Sequence, residues 1–140
     1  MKIMIILLAF FATSNVYSQT ADRCKPLDDT ILKIMSKKLY NFSSFNKIYN
    51  SSRITKCDDG AFAESMSHIV VQALILDFVR TIKVGGKNKE ATYFLLSHLS
   101  PSNDGSDLRK VMDNATKMCP NKQRELCKNI IVTSKNAIKE

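Results

Sequence analysis

Between the turn at Cys57-Asp58-Asp59-Gly60 and the pair Gly85-Gly86 the chain carries no break signal, and its middle, Ile69 to Val79, is apolar except for Gln72 and Asp77. The β-branched residues there would also suit a strand. Length decides against it, because ordinary strands run to about five or six residues. A helix that is apolar almost all round must be contacted from several sides. The expected fold is therefore all-α: a single compact domain of about five helices around a central apolar helix spanning 60–84.

The remaining segments supply the wrapping. A first helix is expected to begin at Pro26 to Asp29 and end near Tyr40-Asn41, with Leu27, Ile31, Ile34 and Met35 at helical spacing. Residues 41–57 are rich in Asn and Ser and read as a loop or short irregular pieces, with room for a short helix at Ser44 to Tyr49. Lys89 to Leu99 reads as a helix with Tyr93, Leu95, Leu96 and Leu99 near one face. Another runs from Ser106 or Asp107 to about Cys119, burying Leu108, Val111, Met112 and Ala115. Pro120 opens the last, along which Leu126, Ile130, Ile131 and Ile138 form a stripe.

The N-terminus fixes the compartment. Lys2, the apolar run Ile3 to Phe11 and the ending Val16-Tyr17-Ser18 have the pattern of a secretory signal peptide cleaved near Ser18. The run is far short of the ~20 residues that span a bilayer. The expected division is a signal peptide, 1–18, and a helical domain, 19–140, in a periplasmic or secreted location. Cys24, Cys57, Cys119 and Cys127 then work where thiols oxidise. Four cysteines allow three connectivities. Nearest-neighbour pairing gives Cys24–Cys57 and Cys119–Cys127, each stabilising by roughly 2–4 kcal/mol.

Charge and motifs exclude more than they assign. The net charge is +8, or +7 once Lys2 leaves with the leader. The basic residues are scattered, so nucleic acid is not an expected partner. No CxxC pair, GxSxG or HExxH occurs, and no cofactor, metal or catalytic residue is assigned. Glu64 and His68 share a helix face, and His98 sits late in a helix where positive charge is favourable. Asp58, Asp59 and Glu64 lack the spacing of a calcium loop and suit helix capping. Asp77, in the most apolar stretch, needs a partner if buried; Arg80 or Arg109 can supply one. Gly85-Gly86-Lys87 is a helix stop, not a phosphate cradle. Phe42, Phe45 and Tyr49, interleaved with Lys47 and Arg53, read as a packed lid or a binding surface. Sequons begin at Asn41, Asn50 and Asn114.

The leader, the mature length, the helical pattern, the paired cysteines and the segment Arg53 to Gly60 together resemble the periplasmic immunity proteins that neutralise type VI secretion amidases. The resemblance implies a non-enzymatic binding protein whose partner is a secreted peptidoglycan amidase, blocked by occlusion of its active site. It carries over no residue roles. The other expectation is a secreted carrier of small apolar ligands, similar in outline to odorant-binding proteins; it requires an internal apolar cavity of a few hundred Å³. The oligomeric state, the partner's identity and the contact face are not fixed by the residues.

Overall fold

The computed structural model describes residues 22–139, so the expected signal peptide lies outside the described residues. Among these the architecture is entirely helical. It comprises α1 (22–36), α2 (Phe42–Thr55), α3 (Gly60–Leu76), α4 (Phe78–Gly85), α5 (Lys89–Ser97), α6 (Gly105–Lys117), a 3₁₀ turn (Asn121–Gln123) and α7 (Arg124–Lys139). Two helices exceed the expected five, and each has a physical reason.

The first is α2, where a loop was expected. Its composition is poor for a helix, but Asn41 caps it, the side-chain oxygen accepting from the amides of Ser43 and Ser44 at 3.0 and 3.1 Å. Phe45, Ile48, Tyr49, Ser52 and Thr55 then recur at helical spacing and are buried. Packing against α3 and α4 outweighs the low propensity of the Asn and Ser residues.

The second is a break at Asp77 that divides the long helix into α3 and α4. The break frees carbonyls at the end of α3, and distant side chains take them up. Asn114 of α6 donates to the oxygens of Leu74 and Ile75, both at 3.0 Å, while that of Ala73, still bonded to Asp77 N at 2.9 Å, also accepts from the Thr81 hydroxyl at 3.2 Å. The Asp77 carboxylate accepts from the first amide of α2, Phe42 N, at 3.2 Å and from Arg80 Nε at 2.8 Å. Asp77 thus pairs with Arg80, one of its two expected partners, and also seats the start of α2. Asn114→Ala leaves the buried Leu74 carbonyl and the half-buried Ile75 carbonyl short of a donor and should lower stability by about 1–3 kcal/mol, read as the midpoint shift in urea. The sequon at Asn114 is committed to this bond in the folded chain.

α3 is central as expected, packed by α2, α4 and α6. Leu27, Ile31 and Ile34 of α1 point into the same core. α1 is helical from residue 22 and stops at 36, short of Tyr40-Asn41. It ends by bonding Leu39 N to Ile34 O and Lys38 N to Met35 O around a left-handed Lys38, φ 51°. A Cβ in that conformation costs about 1 kcal/mol or more. Lys38→Gly is therefore expected to raise stability by about 1 kcal/mol, checked by the shift in Tm.

α6 is capped by Asp104 rather than Ser106 or Asp107; the Asp104 carboxylate accepts from both those residues' amides. Hydrogen bonds from Ser106 and then Asp107 hold its carboxyl below the usual value. α6 and α7 fold back on each other, with Met112 only half-buried between them and solvent. Gly85 lies within α4, and a Cβ there would collide with Leu95 of α5. Its role is close helix approach. Gly86 follows as the cap with negative φ, so neither glycine supplies a left-handed stop.

Two disulfides clip the bundle. Cys24–Cys57 ties α1 to the turn before α3, and Cys119–Cys127 ties the end of α6 to the first turns of α7. No cysteine among the described residues is free. No described helix is long and apolar enough to cross a membrane.

Candidate functional site

The turn between α2 and α3 positions three groups within a few residues. Lys56 takes a left-handed conformation, φ 53°, and ends α2 by donating its amide to Ser52 O at 2.7 Å. Cys57 is held in its disulfide. Asp58 is thereby turned toward the C-terminal end of α5, where His98 lies buried at 2 % exposure. Asp59 occupies the N-cap position of α3, but its side chain makes no capping bond.

His98 is the main departure from the sequence expectation. A histidine favoured late in a helix by its positive charge was expected, and the ring is instead in the core, edge-on to Phe94 with centroids 4.5 Å apart. Its Nδ1 lies 2.9 Å from Ser67 Oγ on α3, and its Nε2 lies 3.3 Å from Asp58 Oδ1. The proton inventory is tight. The Ser67 hydroxyl donates to Ala63 O at 2.7 Å, so its oxygen is left to accept from Nδ1–H. Nε2 is close to Asp58 but off the line of a hydrogen bond, and it has no partner that satisfies bonding geometry.

Ser67, His98 and Asp58 have the residue types of a hydrolytic triad without its geometry. Ser67 is 4 % exposed, so no substrate carbonyl can approach it, and its proton is spent on a helix carbonyl. The arrangement does not build a nucleophile. Sequence reading passed over Ser67 and treated Asp58 and His98 separately, because three residues from three segments share no local pattern.

Asp58 forms one end of an open cleft of about 150 Å³ between α2 and α5. Tyr49 and Phe94 are at its base, Ser52 and Arg53 come from α2, and Glu90 and Tyr93 come from α5. Arg53 lies 3.8 Å from Glu90 and stacks over Tyr49 at 5.9 Å, while the Tyr49 hydroxyl donates to Glu90 at 3.5 Å. Tyr93, expected on the inner face of its helix, is 75 % exposed, and Ile54, beside Arg53 in sequence, is 77 % exposed.

The other expected groups disperse. Phe45 and Tyr49 are core residues, parallel at 6.4 Å, and only Phe42 is half-exposed, under Arg80 at 4.7 Å. The aromatic segment is therefore packed structure except at Phe42, Lys47 and Arg53. His68 is exposed and meets Tyr40 edge-on at 5.3 Å; Glu64 makes no ion pair with it. Among the described residues no group of three His, Cys, Asp or Glu is placed to hold a metal.

A second, larger hollow of about 880 Å³ lies along the start of α1. Asp22, Arg23, Lys25, Asp28, Asp29, Lys56 and Asp59 line it together with the Cys24–Cys57 disulfide and Phe62. It is an open, charged groove, unlike the enclosed apolar cavity that a small-ligand carrier needs. Comparison with known proteins found no matching family model, no matching curated protein and no matching solved structure.

Proposed function

We propose that this chain is an exported protein-binding module that inhibits a cell-wall-degrading enzyme by filling its active-site groove. The observation that carries this reading is the surface around the α2–α5 cleft. One large aromatic side chain, Tyr93, stands in solvent there, beside an Arg53–Glu90 pair and over a filled aromatic core. Exposed Tyr and Arg on a rigid base are the usual anchors of protein interfaces. Rigidity lowers the ordering cost of association, and both the disulfide beside Asp58 and the aromatic packing under the cleft supply it. The resemblance to periplasmic immunity proteins supports the same reading, and the positive net charge would speed encounter with an acidic partner.

The test asks whether a secreted peptidoglycan amidase is encoded beside this chain and is inhibited by it. The oxidised protein at equimolar concentration should abolish peptidoglycan hydrolysis, and Tyr93→Ala with Arg53→Ala should weaken inhibition at least tenfold. Undiminished hydrolysis at tenfold excess, or the lack of such a neighbouring enzyme, overturns the proposal.

A further inference from the structure

The cleft has an unusual charge for its setting. Asp58 and Glu90 bring two carboxylates against the single guanidinium of Arg53, on a chain whose net charge is +8. It also holds an internal precedent. Arg53 already sits between an aromatic face, Tyr49, and a carboxylate, Glu90. That pairing of a ring face with an anion is how proteins hold organic cations. The other half of the cleft repeats the ingredients without an occupant of its own: Asp58 at the end, Phe94 at the base and the exposed Tyr93 at the rim.

A second observation points to the same place. Behind Asp58 lies His98, almost wholly buried, with an Nε2 that faces the carboxylate without a well-aligned hydrogen bond. Burying a histidine without satisfying one of its nitrogens costs stability. Here Ser67 takes the ring's Nδ1 proton, so Nε2 turns a lone pair toward Asp58 and donates nothing to it, and the carboxylate is left to accept from a donor in the cleft.

Size narrows the ligand. About 150 Å³ is half or less of the roughly 300–1,000 Å³ typical of small-molecule pockets. It has the room of about five waters, which is the scale of one long side chain.

We propose that the Asp58–Glu90 cleft is a socket for one basic side chain, arginine by preference, projected from a protein partner. The guanidinium lies over Tyr93 and donates to Asp58, leaving Arg53 in place on Tyr49 and Glu90. The identity of the occupant as a protein side chain rests on the binding reading above; the site itself does not.

The experiment uses N-acetyl-arginine amide as the probe, titrated into the ¹⁵N-labelled oxidised protein and followed by amide chemical shifts. Saturable shifts at Asp58, Glu90 and Tyr93 with a millimolar dissociation constant are expected, and N-acetyl-glutamate amide should leave those residues unmoved. Asp58→Asn and Glu90→Gln should each weaken binding at least fivefold, the unperturbed remainder of each spectrum confirming the fold. No saturable shift with the arginine probe overturns the proposal. So does an equal response to the glutamate probe, which would make the cleft an anion site on Arg53, or a dissociation constant unchanged in both variants. Arginine binding without amidase inhibition would sink the inhibitor reading alone. Inhibition undiminished by Glu90→Gln, with no arginine shifts, would sink the socket alone.

Discussion

Replacing Cys24 and Cys57 together by alanine should lower the unfolding free energy by about 3–4 kcal/mol, measured by urea denaturation of the oxidised proteins. The crosslink joins residues 33 apart, so it removes many open conformations from the unfolded chain. Replacing Cys119 and Cys127 should cost less, about 2–3 kcal/mol, because their separation is only 8. The order of the two effects is the sharper test. If loop entropy dominates, the long clip matters more; a reversed order would mean that native packing at the α6–α7 turn outweighs it. The long clip also carries α1, whose hold on the core otherwise comes chiefly from Leu27, Ile31 and Ile34.

Phe45→Ala is the second large effect, expected at about 3–5 kcal/mol from lost burial and the cavity left behind. Phe45 has no exposed surface and packs against Tyr49 and, at 5.9 Å edge-on, Phe94. These two rings are the base of the cleft, so the loss should also blunt the near-ultraviolet circular dichroism of the tyrosines. Phe42→Ala is the control. Its ring is half-exposed beneath Arg80, and the same truncation should cost under half as much. Equal costs would show that α2 is held by its N-terminal end rather than by its buried face.

The helical class and the positions of most helices were legible because they rest on short-range signals. Examples are Leu27, Ile31 and Ile34 on one face, the 105–117 periodicity, and the proline and glycines near the ends. What escaped reading rests on partners far away in sequence. The break at Asp77 carries no glycine or proline; it is sustained by Asn114 and by the amide of Phe42, 35 residues away. α2 hid behind weak propensity, although Asn41 and the spacing of Phe45, Ile48, Tyr49 and Ser52 were visible in principle. The candidate site escaped most completely. His98 and Ser67 are 31 residues apart, and nothing local in either marks a buried pair. Tyr93 shows the same limit in reverse, since an aromatic at helical spacing is a core residue by default, and only the packing of Phe94 and Leu95 turns it outward.

The few residues from Lys56 to Gly60 bear on how relatives of this protein would be found. Two left-handed backbones, at Lys56 and Gly60, bracket the crosslinked Cys57 and Asp58. One inserted residue would swing the carboxylate off His98 or pull the sulfur out of reach of Cys24, so this stretch should resist insertion and deletion even where the surrounding helices drift beyond recognisable identity. A cysteine-aspartate pair with glycine two positions on, followed by a serine and a histidine at the separations of Ser67 and His98, is thus a spacing signature. It would mark shared ancestry where overall similarity has decayed.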